Sequence, residues 1–261
     1  MKDSLSLSLI QFNPLWEDSS KNMEVLDSII KDCPEKTDAI VLPELFLTGF
    51  SMNTARVAQK MDGEGVIWMK NKAIERKTTI IGTLAIKEID KVYNRLIVMN
   101  PIGECVWYDK RHLFRMGEEN KFYDSGKSKI LVQVKDWKIM PLVCYDLRFP
   151  VWSRNVNCNY DLLIYVANWP ESRRDAYMTL LKARAIENLC YVVGVNRTGK
   201  DGNGLDYAGD SVIIDPKGNV IADLPQKSSG IVHFEISHDD LDKYRKKFPA
   251  NLDADEFTIS T

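Results

Sequence analysis

Cys144 closes an apolar run, Ile139 to Val143, and is followed at once by Tyr145, Asp146 and Arg148 ahead of Pro150. The pattern predicts a buried strand ending at the cysteine, a tight turn, and a helix that starts near Pro150. A thiol nucleophile needs that setting. The strand end holds the side chain rigidly, and backbone N–H groups of the turn and helix start can stabilise an oxyanion and favour a thiolate. The plainer alternative is a small core residue, since free cysteine is among the most buried residue types.

Two further strand ends carry groups that would complete such a site. Asp38 to Leu42 reads as a short buried strand ending in Pro43-Glu44, which puts a carboxylate at a sheet edge. Cys105 to Tyr108 reads as another, ending in Asp109-Lys110-Arg111-His112. A thiol, a base and a cation together suit acyl transfer. Lys110 would lower the thiol pKa from about 8.5 and later hold the negative oxygen of a tetrahedral intermediate. Glu44, with a reference pKa of about 4.3, is a poor base for a thiol unless burial or a second carboxylate raises it. Glu119, in the long polar connection from Leu113 to Gly126, is the candidate for that second carboxylate. For both acids the alternative is an ordinary solvated loop residue.

Other chemistries find less support. Of three histidines only His112 stands near these strand ends, so a Cys–His pair is the rival arrangement. GxSxG, GxGxxG and HExxH are all absent, against an elbow-type serine hydrolase, a dinucleotide fold and a zincin. Gly194 to Lys200 comes near a phosphate loop, but Asp201 stands where the magnesium-binding Ser or Thr should be. No cofactor and no metal is called for.

Composition narrows the class. The chain has 261 residues, enough for one large α/β domain over 1–261 with a polar tail over about 248–261. A net charge of −2 gives no electrostatic case for nucleic acid or an anionic membrane. The five cysteines are odd in number and form no CxxC pair, which argues against a disulfide framework and for a reducing cytoplasm. No apolar run reaches about 18 residues, and MKDSLSLSLIQF lacks the apolar core and cleavage site of an export signal. A soluble, cytoplasmic protein is the expectation.

The elements that must position these groups follow from periodicity. Leu5 to Phe12 alternates as a half-buried strand, and Ser19 or Ser20 can cap a helix presenting Met23, Leu26, Ile29 and Ile30. Glu64 to Lys77 has helical spacing through Ile67, Met69, Ala73 and Ile74; Thr78–Ile86 and Val92–Met99 read as strands. Lys129–Val134 and Trp137–Val143 form a strand pair leading into Cys144. Asp161–Ala167 is a buried strand stopped by Asn168-Trp169-Pro170, and Arg174–Cys190 is the longest helix signal. After the strand Tyr191–Val195 come a Gly- and Asp-rich loop to Asp210, a hairpin about Pro216-Lys217-Gly218, the strand Gly230–Ile236 and a charged helix, His238–Lys247. Mixed order with hairpins suggests two mixed sheets flanked by helices.

Read together, three segments resemble the signatures of the nitrilase (carbon–nitrogen hydrolase) superfamily. They are Leu42-Pro43-Glu44-Leu45-Phe46 with Thr48-Gly49-Phe50, Tyr108-Asp109-Lys110-Arg111-His112-Leu113, and Leu142-Val143-Cys144-Tyr145-Asp146-Leu147-Arg148-Phe149-Pro150. Lys182 to Asn188 is similar to the family's helix after the nucleophile. The wording DKRHLFRMGEE, VCYDLRFPVWSRN, ANWP and the GDS near Asp210 is most similar to bacterial omega-amidases, also called 2-oxoglutaramate amidases. The resemblance implies a four-layer αββα sandwich and dimer packing through helices near the nucleophile. It also implies Glu44 as general base, Lys110 as oxyanion stabiliser, Cys144 as nucleophile and Glu119 as the additional glutamate. The expected reaction is hydrolysis of the terminal amide of a small dicarboxylic monoamide; another amidase, a carbamoylase or a nitrilase is the alternative, and a non-catalytic binding protein a more distant one. A free substrate carboxylate calls for an arginine, with Arg173 the first choice and Arg115 the second. Tyr145, Asn168 and Trp169 are expected to line the pocket. Asp146 with Arg148, and Arg184 with Glu187, are expected to hold the framework.

Overall fold

A computed structural model describes residues 4–259. The first half of the chain supplies β1 (Leu5–Gln11), α1 (Ser19–Lys31), β2 (Ala39–Val41), the single turn α2 (Thr54–Val57), α3 (Glu64–Arg76), β3 (Thr79–Glu88), β4 (Lys91–Met99) and β5 (Cys105–Asp109). The second half supplies β6 (Val132–Val134), β7 (Trp137–Val143), α4 (Pro150–Ser153), β8 (Leu162–Ala167), α5 (Arg174–Asn188) and β9 (Tyr191–Asn196). A small hairpin, β10 (Thr198–Lys200) with β11 (Asp206–Ala208), precedes β12 (Val212–Ile214), β13 (Val220–Asp223), β14 (Gly230–Ile236) and α6 (His238–Lys247).

Two six-stranded sheets result, in the orders β14-β1-β2-β3-β4-β5 and β13-β12-β9-β8-β7-β6. In the first, β1, β2 and β3 run parallel; in the second, β7, β8 and β9 do; the flanking strands pair antiparallel. The carboxyl ends of parallel strands are where α/β folds gather chemistry, because the loops leaving them are free of the ladder. Both triplets deliver such ends to the same place.

The sheets pack face to face. One apolar cluster joins Leu5, Leu7, Leu9, Val41, Ile81 and Leu96 of the first sheet to β7, β8 and β9 of the second. A second cluster lies outside the first sheet, where Leu26 and Ile30 of α1 and Val66, Trp68, Met69 and Ala73 of α3 meet Ile40, Ile80 and Ile97. On the far side, α5 presses so closely on β9 that a Cβ at Gly194 would come within 2.6 Å of Leu181 and 2.7 Å of the Tyr177 hydroxyl. Helix α6 is tied there by Arg245, which donates to Asp161 Oδ1 at 2.7 Å and to the Tyr160 carbonyl at 2.6 Å. The layers are therefore helix, sheet, sheet, helix. No helix among the described residues is long and apolar enough to cross a membrane.

Three local expectations change. Strand β1 is buried along its whole length rather than on one face. Its serines are satisfied instead of solvated: Ser8 Oγ lies 3.0 Å from His233 Nδ1 and 3.2 Å from Thr37 Oγ1. Helix α1 is capped by Asp18, whose carboxylate accepts from Lys21 N, so the cap precedes both serines. In α3, Ile67 and Ile74 are 49% and 46% exposed, because the buried face runs through Val66, Trp68, Met69 and Ala73.

Candidate active site

Cys144 follows β7 directly and takes φ +42°, left-handed backbone that a non-glycine residue holds only when its surroundings enforce it. Asp146 does the enforcing. Its Oδ2 accepts from Val143 N at 3.1 Å and from the Tyr108 hydroxyl at 2.8 Å. Its Oδ1 accepts from His112 N at 3.0 Å and lies 2.8 Å from His112 Nδ1. The bend begins at the cysteine itself, with a 3-10 turn over Cys144–Arg148, and α4 is a single further turn. The thiol thus sits on a sharp strand-to-turn corner, not at the mouth of a long helix.

Three fully buried side chains meet beside it. Lys110 Nζ donates to Glu44 Oε1 at 2.8 Å and to Glu119 Oε1 and Oε2 at 3.0 and 2.9 Å. Asn94 Nδ2 bridges the two acids, 2.8 Å from Glu44 Oε1 and 3.1 Å from Glu119 Oε1. Glu44 Oε2 accepts from Asn168 N at 2.8 Å, and Glu119 Oε2 from Phe114 N at 2.6 Å. The sulfur approaches the Asn168 carbonyl at 3.8 Å. Glu44 comes from the end of β2, Lys110 from β5, Cys144 from β7 and Asn168 from β8, so both sheets contribute.

The electrostatics follow from this packing. Burial pushes the Cys144 thiol well above its ordinary value; the Glu44 charge adds to that, while Lys110 opposes it and is outweighed. Burial thus works against the thiolate that the lysine and the turn favour. Burial also raises the Glu119 carboxyl, with the pull of Lys110 against it and the Glu44 charge in support. Burial works to lower the Lys110 ammonium, but the charges of Glu119 and Glu44 hold it above its ordinary value. A thiol beside a carboxylate and an ammonium is an arrangement for base-assisted attack with oxyanion stabilisation.

The cavity above them is about 110 Å³, lined at its closed end by Lys110 and Cys144 and on its sides by Tyr145, Asn168 and Trp169. Arg173 and Arg148 flank it. The Arg173 guanidinium lies 5.2 Å from the Phe114 ring centre and that of Arg148 4.9 Å from Trp169. Trp169 is fixed by Asn196, which accepts from Trp169 N at 2.8 Å and donates to its carbonyl at 3.0 Å.

The Carbon-nitrogen hydrolase family model matches residues 6–246. The chain belongs to this family. Its similarity to "Omega-amidase YafV" of Escherichia coli K12 is 44% identity, covering 98% of each chain. To "2-oxoglutaramate amidase" of Bacillus subtilis it is 32%, covering 94% of this chain and 95% of the relative. Among solved structures, the Xanthomonas campestris protein XC1258, described as a CN-hydrolase superfamily protein with an arsenic adduct in the active site, superposes with a TM-score of 0.96. That pair shares 41% identity over 99% of this chain and 100% of the other.

Within this carbon–nitrogen hydrolase, Glu44, Lys110, Glu119 and Cys144 converge, and Tyr145, Asn168, Trp169 and Arg173 line the same pocket. Arg115 does not. It is exposed on a 3-10 turn and borders a separate surface hollow with Arg111 and His112, because Phe114 turns inward and Arg115 outward. His112 is likewise committed elsewhere: it bonds Asp146 and stacks on Phe149 at 3.8 Å, so the Cys–His rival is not assembled. Asp146 is framework, as expected, and Arg184 donates to Glu187 at 2.9 Å and to the Leu147 carbonyl at 2.6 Å. Arg148 instead faces the pocket.

Two features escaped the sequence reading. Asn94 lies mid-strand in β4, and its one signal was an amide beside Arg95 ahead of the apolar run Leu96 to Met99. The wall formed by Asp201, Asn203, Leu205 and Tyr207 comes from the β10–β11 hairpin, and only tertiary folding brings it to Cys144.

Proposed function

We propose that this protein is an omega-amidase that hydrolyses the terminal amide of 2-oxoglutaramate and related dicarboxylic monoamides, such as 2-oxosuccinamate and succinamate, to the dicarboxylate and ammonia. The observation that carries this reading is the convergence of Cys144, Glu44 and Lys110 at the closed end of a small pocket whose side wall presents Arg173. The omega-amidase of E. coli and the 2-oxoglutaramate amidase of B. subtilis, at 44% and 32% identity, support it.

In the proposed reaction Glu44 takes the thiol proton as Cys144 Sγ bonds to the amide carbon. The carbonyl electron pair moves onto oxygen, which Lys110 Nζ and the Tyr145 N–H stabilise. Collapse of this intermediate breaks the C–N bond, and ammonia leaves with the proton from Glu44. A thioester remains. Glu44 then deprotonates water, which attacks the thioester; the second collapse returns the proton to sulfur and frees the carboxylate. Glu119 and Asn94 fix Lys110 and Glu44 throughout. The substrate carboxylate pairs with Arg173, whose planar guanidinium matches a carboxylate better than a point charge does.

Ammonia release from 2-oxoglutaramate, compared with nitriles and N-carbamoyl compounds under the same conditions, tests the assignment. Preference for the omega-amide is expected. Preference for a nitrile or a carbamoyl compound would move the protein to another branch of the family.

A further inference from the structure

The Gly- and Asp-rich loop after β9 forms one wall of the pocket above Cys144 through Asp201, Asn203, Leu205 and Tyr207. Its turn is closed on itself. Asp201 N donates to the Leu205 carbonyl at 3.0 Å and Gly204 N to the Asp201 carbonyl at 3.1 Å. Asp201 Oδ1 accepts from the N–H groups of Asn203 and Leu205, each at 2.9 Å, and Oδ2 from the Tyr207 hydroxyl at 2.9 Å. Behind Tyr207, the wholly buried Arg197 holds its guanidinium 4.7 Å from the ring centre and donates to Asn13 Oδ1 at 2.7 Å. Trp16 backs Gly202, where a Cβ would come within 2.5 Å of the indole.

The turn is thus shaped from behind, and one polar side chain on it is left uncommitted. Asn203 lines the cavity, and among the described residues its side-chain amide, which is open to solvent, makes no hydrogen bond. The carboxylate of Asp201 is occupied by three donors and is turned to the loop, not to a substrate. Asn168 is buried and spends one of its two amide N–H groups on the Glu44 carbonyl. Arg173 and the neutral donor Asn203 line the same cavity.

We propose that Asn203 is a specificity-determining residue: its amide donates a hydrogen bond to the keto oxygen on the carbon beside the substrate carboxylate. This rests on the function proposed above. A keto oxygen is a neutral acceptor, and a neutral amide satisfies it without bringing a further charge into the pocket. A donor aimed at a substrate oxygen favours the keto substrate over an analogue that lacks it, and at a solvent-open position it does so by a modest factor, so the keto-free amide is still turned over.

The test is kcat/KM for 2-oxoglutaramate against glutaramate, the same chain with a methylene in place of the keto carbon. It is run on the wild-type protein, Asn203→Ala, Asn203→Asp and Tyr145→Phe, the last removing a hydroxyl from the lining. The wild type is expected to favour the keto substrate. Asn203→Ala should lower that ratio about five- to tenfold, and Asn203→Asp, which sets an acceptor against an acceptor, should lower it further. Tyr145→Phe should keep the ratio. A ratio that survives in Asn203→Ala, or collapses in Tyr145→Phe instead, overturns the assignment and leaves the proposed function standing. A wild type that does not distinguish the two amides also overturns it. One that releases ammonia from neither overturns it together with the function on which it rests.

Discussion

At the closed end of the pocket Glu44, Lys110 and Glu119 are fully buried, and each of the four carboxylate oxygens accepts at least one hydrogen bond. At its mouth Arg173 and Arg148 rest on aromatic rings, and Asn203 stands exposed on a two-glycine turn. The first region comes from strand ends locked by two sheets; the second comes from loops leaving those sheets. Charges at the closed end cannot be altered singly without leaving a partner uncompensated in a medium that does not solvate it. Those at the mouth can, since water and ring faces already share them. Chemistry and selectivity are thereby placed in parts of the molecule with different tolerance to change.

Substitutions that cross this divide give the largest contrast. Cys144→Ala should abolish ammonia release while leaving the fold intact, since it removes one sulfur from a site already closed around it; steady-state turnover with circular dichroism checks both. Lys110→Ala should lower kcat by on the order of 10²–10³ through loss of an oxyanion donor. It should also destabilise the protein by about 3–5 kcal/mol, because Glu44 and Glu119 are left buried without their cation; urea unfolding measures this. Asn94→Ala removes the amide that spans the two acids and should cost about ten- to a hundredfold in kcat with a smaller rise in KM. At the mouth, Arg173→Ala should raise KM for the omega-amide about tenfold or more with little change in stability, as expected for loss of a charge-assisted bond to a carboxylate. Arg115→Ala, outside the pocket, should change either constant less than about twofold.

The same divide marks what was legible in the chain. Glu44, Lys110 and Cys144 each stand directly after a short apolar run, so local periodicity located them before any tertiary information. Their meeting was legible only because the three signature segments resemble one family. Periodicity alone misjudged burial: β1 alternates like a half-exposed strand, yet Ser6 and Ser8 are covered and hydrogen-bonded. At Cys144 the pull of the lysine and the turn toward a thiolate is opposed for a related reason. Desolvation depends on how completely two sheets close over a site, and sequence does not report that. Arginines were the least legible. Arg115 and Arg148 are both flanked by aromatic or apolar neighbours, and only the turns that carry them decide which one faces the cavity.

Whether sulfur carries the acyl group is best tested by acid-quenching the protein during turnover of 2-oxoglutaramate and mapping the adduct by peptide mass spectrometry. The predicted result is a thioester confined to the peptide containing Cys144 and absent from the Cys144→Ala protein. Ammonia release at the wild-type rate by Cys144→Ala, with no acyl adduct on any peptide, would contradict it.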